Sequence, residues 1–106
     1  MTIFNNAAND VHISQIQIYW GPIVNPNEAI TNLLLAGVNI WTGHEPGSPV
    51  VFSAFTGDVT IPAGGNKLLQ VTFLKNYTVY GTEQILVTFA ENGCPTLDSS
   101  NSSQLP

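Results

Sequence analysis

Apolar side chains recur at every second position through most of this chain, a spacing that predicts strands rather than helices. In the stretch QIQIYW, Ile16, Ile18 and Trp20 alternate with Gln15, Gln17 and Tyr19, which puts the apolar set on one face of a strand. Upstream, Val11 and Ile13 have the opposite parity, so a β-bulge is expected around Ser14 and Gln15; partial burial of both faces is the alternative. Leu69, Val71 and Phe73 share a face against Gln70 and Thr72, and Ile85, Val87 and Phe89 repeat that pattern. These two late strands are expected to be antiparallel neighbours in one sheet.

Turn residues divide the remainder. Leu33 to Trp41 reads as two short strands around Ala36-Gly37, because glycine supplies the positive φ of a tight hairpin. The segment TGHEPGSP, with two prolines and two glycines, is expected to be a loop outside any ladder. Val50 to Phe55 and Val59 to Ile61 follow as short strands. Pro62 withholds an N–H and ends the strand at Ile61, and Gly64-Gly65 lets the chain reverse before the strand that begins near Lys67. Only Asn27 to Leu35 has any helical character, and it allows one turn at most.

About seven short strands with turns at intervals of roughly ten residues predict an all-β chain, a two-sheet antiparallel sandwich. With 106 residues the chain is one domain long and has enough bulk for a single core. The domain is expected over residues 1–97, with 98–106 a flexible Ser/Asn-rich tail or linker.

Composition narrows the function classes. Charged residues make up 8% of the chain, against roughly 25% in an ordinary soluble domain, so solubility rests on Asn, Thr, Ser and Gln. There is no arginine, the two lysines are Lys67 and Lys75, and the net charge is −5, which makes nucleic acid and anionic membrane poor partners. Nothing approaches the roughly 18 consecutive apolar residues of a spanning helix, and MTIFNN lacks the basic start of an export signal. If the protein is exported, that signal belongs to a longer parent. Cys94 stands alone, so no intrachain disulfide forms, and it reads as a half-buried thiol.

The strings TIPAGGNKLLQVTF and ILVTFAENGC, with the opening FNNAANDVHISQIQIYW, resemble immunoglobulin-like β-sandwich modules of prokaryotic cell-surface and extracellular proteins. That resemblance covers most of the chain and implies a spacer or binding unit beside other modules, located outside the cell or on its surface. It departs from pilins, whose long apolar N-terminal helix has no counterpart here.

Catalytic chemistry is not expected. The carboxylates Asp10, Asp58, Asp98, Glu28, Glu45, Glu83 and Glu91 fall mostly in turns, and His12 and His44 lack metal-ligand spacing. No cofactor is expected. Calcium is the ion best suited to such a surface module, with Asp58, Glu91, Asn92 and Asp98 as its candidate ligands. Aromatic rings stack on sugars, which makes Trp41, Tyr77 and Tyr80 candidate ligand contacts, whereas Trp20 continues the apolar face of its strand and is expected in the core. Two Asn-x-Ser/Thr triplets, at Asn76 and Asn101, are candidate glycan acceptors. The leading reading is a non-catalytic structural or adhesion module, whose partners are protein modules of the same assembly. Apolar edge strands poor in lysine would allow self-association. The alternative is a carbohydrate-binding module.

Overall fold

The structure, a computed structural model, describes residues 1–20, 29–46, 49–74, 83–99 and 104–105. No helix occurs among them. Ten strands do: Thr2–Asn5 (β1), Val11–Tyr19 (β2), Ile30–Leu35 (β3), Val38–Glu45 (β4), Val50–Phe52 (β5), Thr60–Ile61 (β6), Asn66–Phe73 (β7), Gln84–Phe89 (β8), Leu97–Asp98 (β9) and Gln104–Leu105 (β10). The three beyond the seven expected are β1, of four residues, and β9 and β10, of two each, all too short to show a clear periodicity. Ile30 to Leu35, part of the stretch with helical character, is strand β3 because its hairpin with β4 captures it.

One sheet has the order β10, β1, β7, β3, β4, and the other β5, β2, β8, β9, with β6 also on β2. Neighbours are antiparallel except β1 and β10, which run parallel. The sheets share one core. Ile3, Leu33, Leu35, Ile40 and Leu69 enter it from the first sheet, and Val11, Ile13, Ile16, Ile18, Val87 and Phe89 from the second. Trp20 is buried as its parity predicts, and its ring meets Phe73 of the opposite sheet edge-on at 6.0 Å.

The parity change in β2 is a bulge. Ile13 pairs with Phe89 and Gln15 with Thr88, so Ser14 is the extra residue, and apolar residues on both sides of it turn inward. A second bulge in β4 places Leu33 opposite Trp41 and Leu34 opposite Asn39. Consecutive side chains Ile40 and Trp41 therefore both reach the core side. The Ile40 carbonyl, turned outward, accepts a 2.9 Å bond from the Thr56 N–H.

Several expectations are corrected. Strands β7 and β8 belong to different sheets: β7 lies between β1 and β3, and β8 between β2 and β9. Alternation reports which face of a strand is buried and carries no information on its partner. The turn at Pro62 to Gly65, closed by a Gly65 N–H to Pro62 carbonyl bond of 2.9 Å, carries the chain from one sheet to the other rather than folding a hairpin. Thr42 and Glu45 belong to the β4 ladder, opposite Asn32 and Ile30, although TGHE reads as loop; the proline that stops pairing is Pro46, after the strand. Conversely, Ser53 to Phe55 leave the ladder that Val50 begins, because the chain there turns to bring Thr56 onto β4. Within the stretch read as a tail, Asp98 belongs to β9 and Gln104–Leu105 form β10.

Candidate functional site

Two loops meet at one end of the second sheet. The first runs from β1 to β2 and is organised by Asn5, which is fully buried. Its Nδ2 donates to the Asn9 and Ile61 carbonyls at 2.9 and 3.0 Å, and its Oδ1 accepts from the Ala7 N–H at 2.9 Å. One side chain thus substitutes for three backbone partners where the ladder of β1 ends. Asp10, at the loop's far end, accepts from the Ala63 N–H at 2.9 Å and ties it to the turn between β6 and β7.

The second loop follows β8. Its Glu91 accepts the His12 N–H on Oε1 at 2.6 Å, and its Oε2 lies 2.7 Å from His12 Nδ1. A carboxylate only accepts, so Nδ1 is the imidazole nitrogen that carries hydrogen. The His12 imidazole bond, then the His12 backbone N–H, holds the Glu91 carboxyl below its ordinary value. Between the two loops lies a cleft of about 290 Å³ lined by Asn9, Asp10, Val11, Asn92, Cys94 and Pro95 among others. Its polar walls are amides, carboxylates and the half-buried Cys94 thiol.

Of the calcium candidates, the cleft brings together Glu91 and Asn92. Asp58 stands elsewhere, accepting from the Thr60 N–H at 2.9 Å and lying 3.5 Å from Lys67 Nζ; the Thr60 bonds, with Lys67 in support, lower its pKa. Asp98, on β9, accepts from Gln84 Nε2 at 2.7 Å. Among the described residues no three His, Cys, Asp or Glu side chains form a group that could hold a metal ion.

Among the aromatic candidates, Trp41 is half-buried. Its ring meets Phe52 edge-on at 4.6 Å and lies over the backbone at Gly43, where a Cβ would stand 2.7 Å from Cζ2. Tyr77 and Tyr80 lie outside the described residues, as do both candidate glycan acceptors.

Sequence reasoning missed two groupings. The His12–Glu91 clamp joins residues 79 apart, and no local motif announces it. The outer face of the second sheet sets Tyr19 opposite Gln84 and Leu86 opposite Asp98, with Gln17 Nε2 donating to the Tyr19 hydroxyl at 3.0 Å. Its signal was present in the polar half of QIQIYW. Tyr19 also borders an apolar recess of about 200 Å³ between the sheets, formed with Trp20, Val71, Phe73 and Ile85 among others. No family model matches this chain, and neither a curated protein nor a solved structure matches it.

Proposed function

We propose that the chain is a non-catalytic structural or adhesion module of immunoglobulin-like form, part of a larger extracellular surface protein or appendage. The observation that supports this reading is the work done by its polar side chains. Asn5, Asp10, Asp58 and Glu91 each accept a backbone N–H and fasten a loop or turn to the sheets. Such bonds stiffen a body that must hold its shape between neighbours. The partners proposed are modules of the same assembly, engaged through loops rather than by strand addition at the sheet edges. Those edges are narrow: β5, β9 and β10 have two or three residues, and β4 is bulged and bonded to Thr56. Bulges and short edge strands are the usual means of limiting strand addition.

A second reading, a carbohydrate-binding module, draws on the outer face of the second sheet, where the Gln17–Tyr19 pair stands beside the Gln84–Asp98 pair. Amides, a carboxylate and a phenol on a sheet face suit the hydroxyls and ring face of a neutral sugar. Calorimetric titration with a panel of soluble glycans separates the readings. A structural module gives no saturable heat, whereas saturable heat that Tyr19→Ala removes would replace the first reading by the second. Light scattering across a concentration series reports on self-association directly.

A further inference from the structure

Asn92-Gly93 is the one Asn-Gly step in the chain, and it lies in the exposed loop that carries Glu91 and lines the cleft. Gly93 has φ +84°, and no heavy atom lies within 4 Å of where its Cβ would be. Neighbouring Cys94 turns its N–H toward the Glu91 carbonyl at 3.5 Å, while among the described residues neither the Gly93 N–H nor the Asn92 carboxamide has a hydrogen-bond partner. A nucleophile and an electrophile adjacent in sequence are thus both uncommitted, in a turn open to water. The other asparagines among the described residues differ, beginning with exposed Asn6, whose neighbour Ala7 has its N–H committed to Asn5 Oδ1 at 2.9 Å. Asn5 is buried and bonded through both side-chain atoms, Asn32 and Asn39 bond each other, and Asn9 and Asn66 precede Asp10 and Lys67, which carry side chains where Gly93 has none.

We propose that Asn92-Gly93 is a self-modification site that changes the charge and shape of the cleft as the protein ages. The Gly93 backbone nitrogen, giving up its proton to a base in solution, attacks the Asn92 side-chain carbonyl carbon. A new C–N bond closes a five-membered imide, and the carboxamide nitrogen leaves as ammonia. Water then opens the imide at one of its two carbonyls, leaving either aspartate or isoaspartate at position 92, with no change of oxidation state. Both products put a negative charge beside Glu91 and across the cleft from Asp10. Isoaspartate also lengthens the main chain by a methylene next to the residue that clamps His12, and so loosens that clamp.

The test is incubation of the whole chain in mild base, followed by peptide mapping with mass spectrometry and an isoaspartate-specific methyl-transfer assay. The expected result is conversion at position 92 ahead of every other asparagine, with isoaspartate the larger product and faster hydrogen exchange at the His12 amide in the converted fraction. Asn92→Gln, whose longer side chain disfavours ring closure, should lose the converted peptide while keeping the slow His12 exchange of fresh protein. Conversion at other asparagines with position 92 intact would overturn the proposal, and so would conversion at position 92 that leaves hydrogen exchange at the His12 amide unchanged.

Discussion

At the scale of single residues, the polar groups that matter are those that replace backbone partners. Asn5 has no exposed surface and supplies two donors and one acceptor to main-chain atoms. Asn5→Ala would leave the Ala7 N–H and the Asn9 and Ile61 carbonyls to find water or remain unpaired. Each unsatisfied buried group costs about 1–3 kcal/mol, and partial rehydration of the loop lowers the sum to roughly 2–3 kcal/mol. Urea unfolding would read this as a lower midpoint at unchanged slope. Glu91 makes a prediction about acid. Its folded pKa lies below the ordinary 4.5, so its stabilising effect is complete above that value and is lost as pH falls through the folded pKa. Glu91→Gln should therefore flatten the decline of stability below about pH 4.5, with little change in slope above it. Thermal melts of both proteins at stepped pH check this. An equally steep acid decline in the variant would remove Glu91 from the account.

At the scale of elements, the hairpin between β3 and β4 shows a local sequence at odds with its own turn. Ala36 and Gly37 have φ of 54° and 81°, both left-handed, as a two-residue turn matching strand twist requires. Glycine meets this freely, and alanine does so at a cost of about 1 kcal/mol. Ala36→Asn restores the pairing such turns prefer and should raise the melting temperature by about 5 °C. Gly37→Ala should lower it by a comparable amount. This hairpin was legible in the sequence because turn and strands are contiguous, and the β2 bulge was legible because the parity of Val11 and Ile13 differs from that of Ile16 and Ile18. Partner choice was not: nothing in Leu69, Val71 and Phe73 says whether β7 pairs with β8 or with β1 and β3. The β4 bulge was not legible either, since Ile40-Trp41, set between Asn39 and Thr42, reads equally well as the end of a strand buried on both faces. The candidate site fared similarly. Glu91 and Asn92 could be named as turn residues, but the partner of Glu91 comes from β2, and only the fold brings His12 to it.

At the scale of the whole molecule, the pairings that build each sheet join distant parts of the chain. Phe4 faces Asn66, and Ile13 faces Phe89. Loop closure must come before such contacts stabilise anything, so folding should be slow for a chain this short, in the range of milliseconds to seconds. Neither sheet can bury its apolar face alone. Ile3 of β1 and Ile16 of β2 have no exposed surface because each is covered by residues of the opposite layer as well as its own. Unfolding should then be a single transition in which both layers separate together. Ile3→Ala and Ile16→Ala each remove a fully buried side chain, for which the expected loss is about 2–5 kcal/mol, and each should shift that same transition. The double variant should lose close to the sum if the two sites relax independently, and less if one collapsed core serves both. Circular dichroism and near-ultraviolet absorbance followed through the same urea series give the check. Two separated transitions, with Ile3→Ala moving one and Ile16→Ala the other, would mean that the sheets are independently stable and that the shared interior does not hold them together.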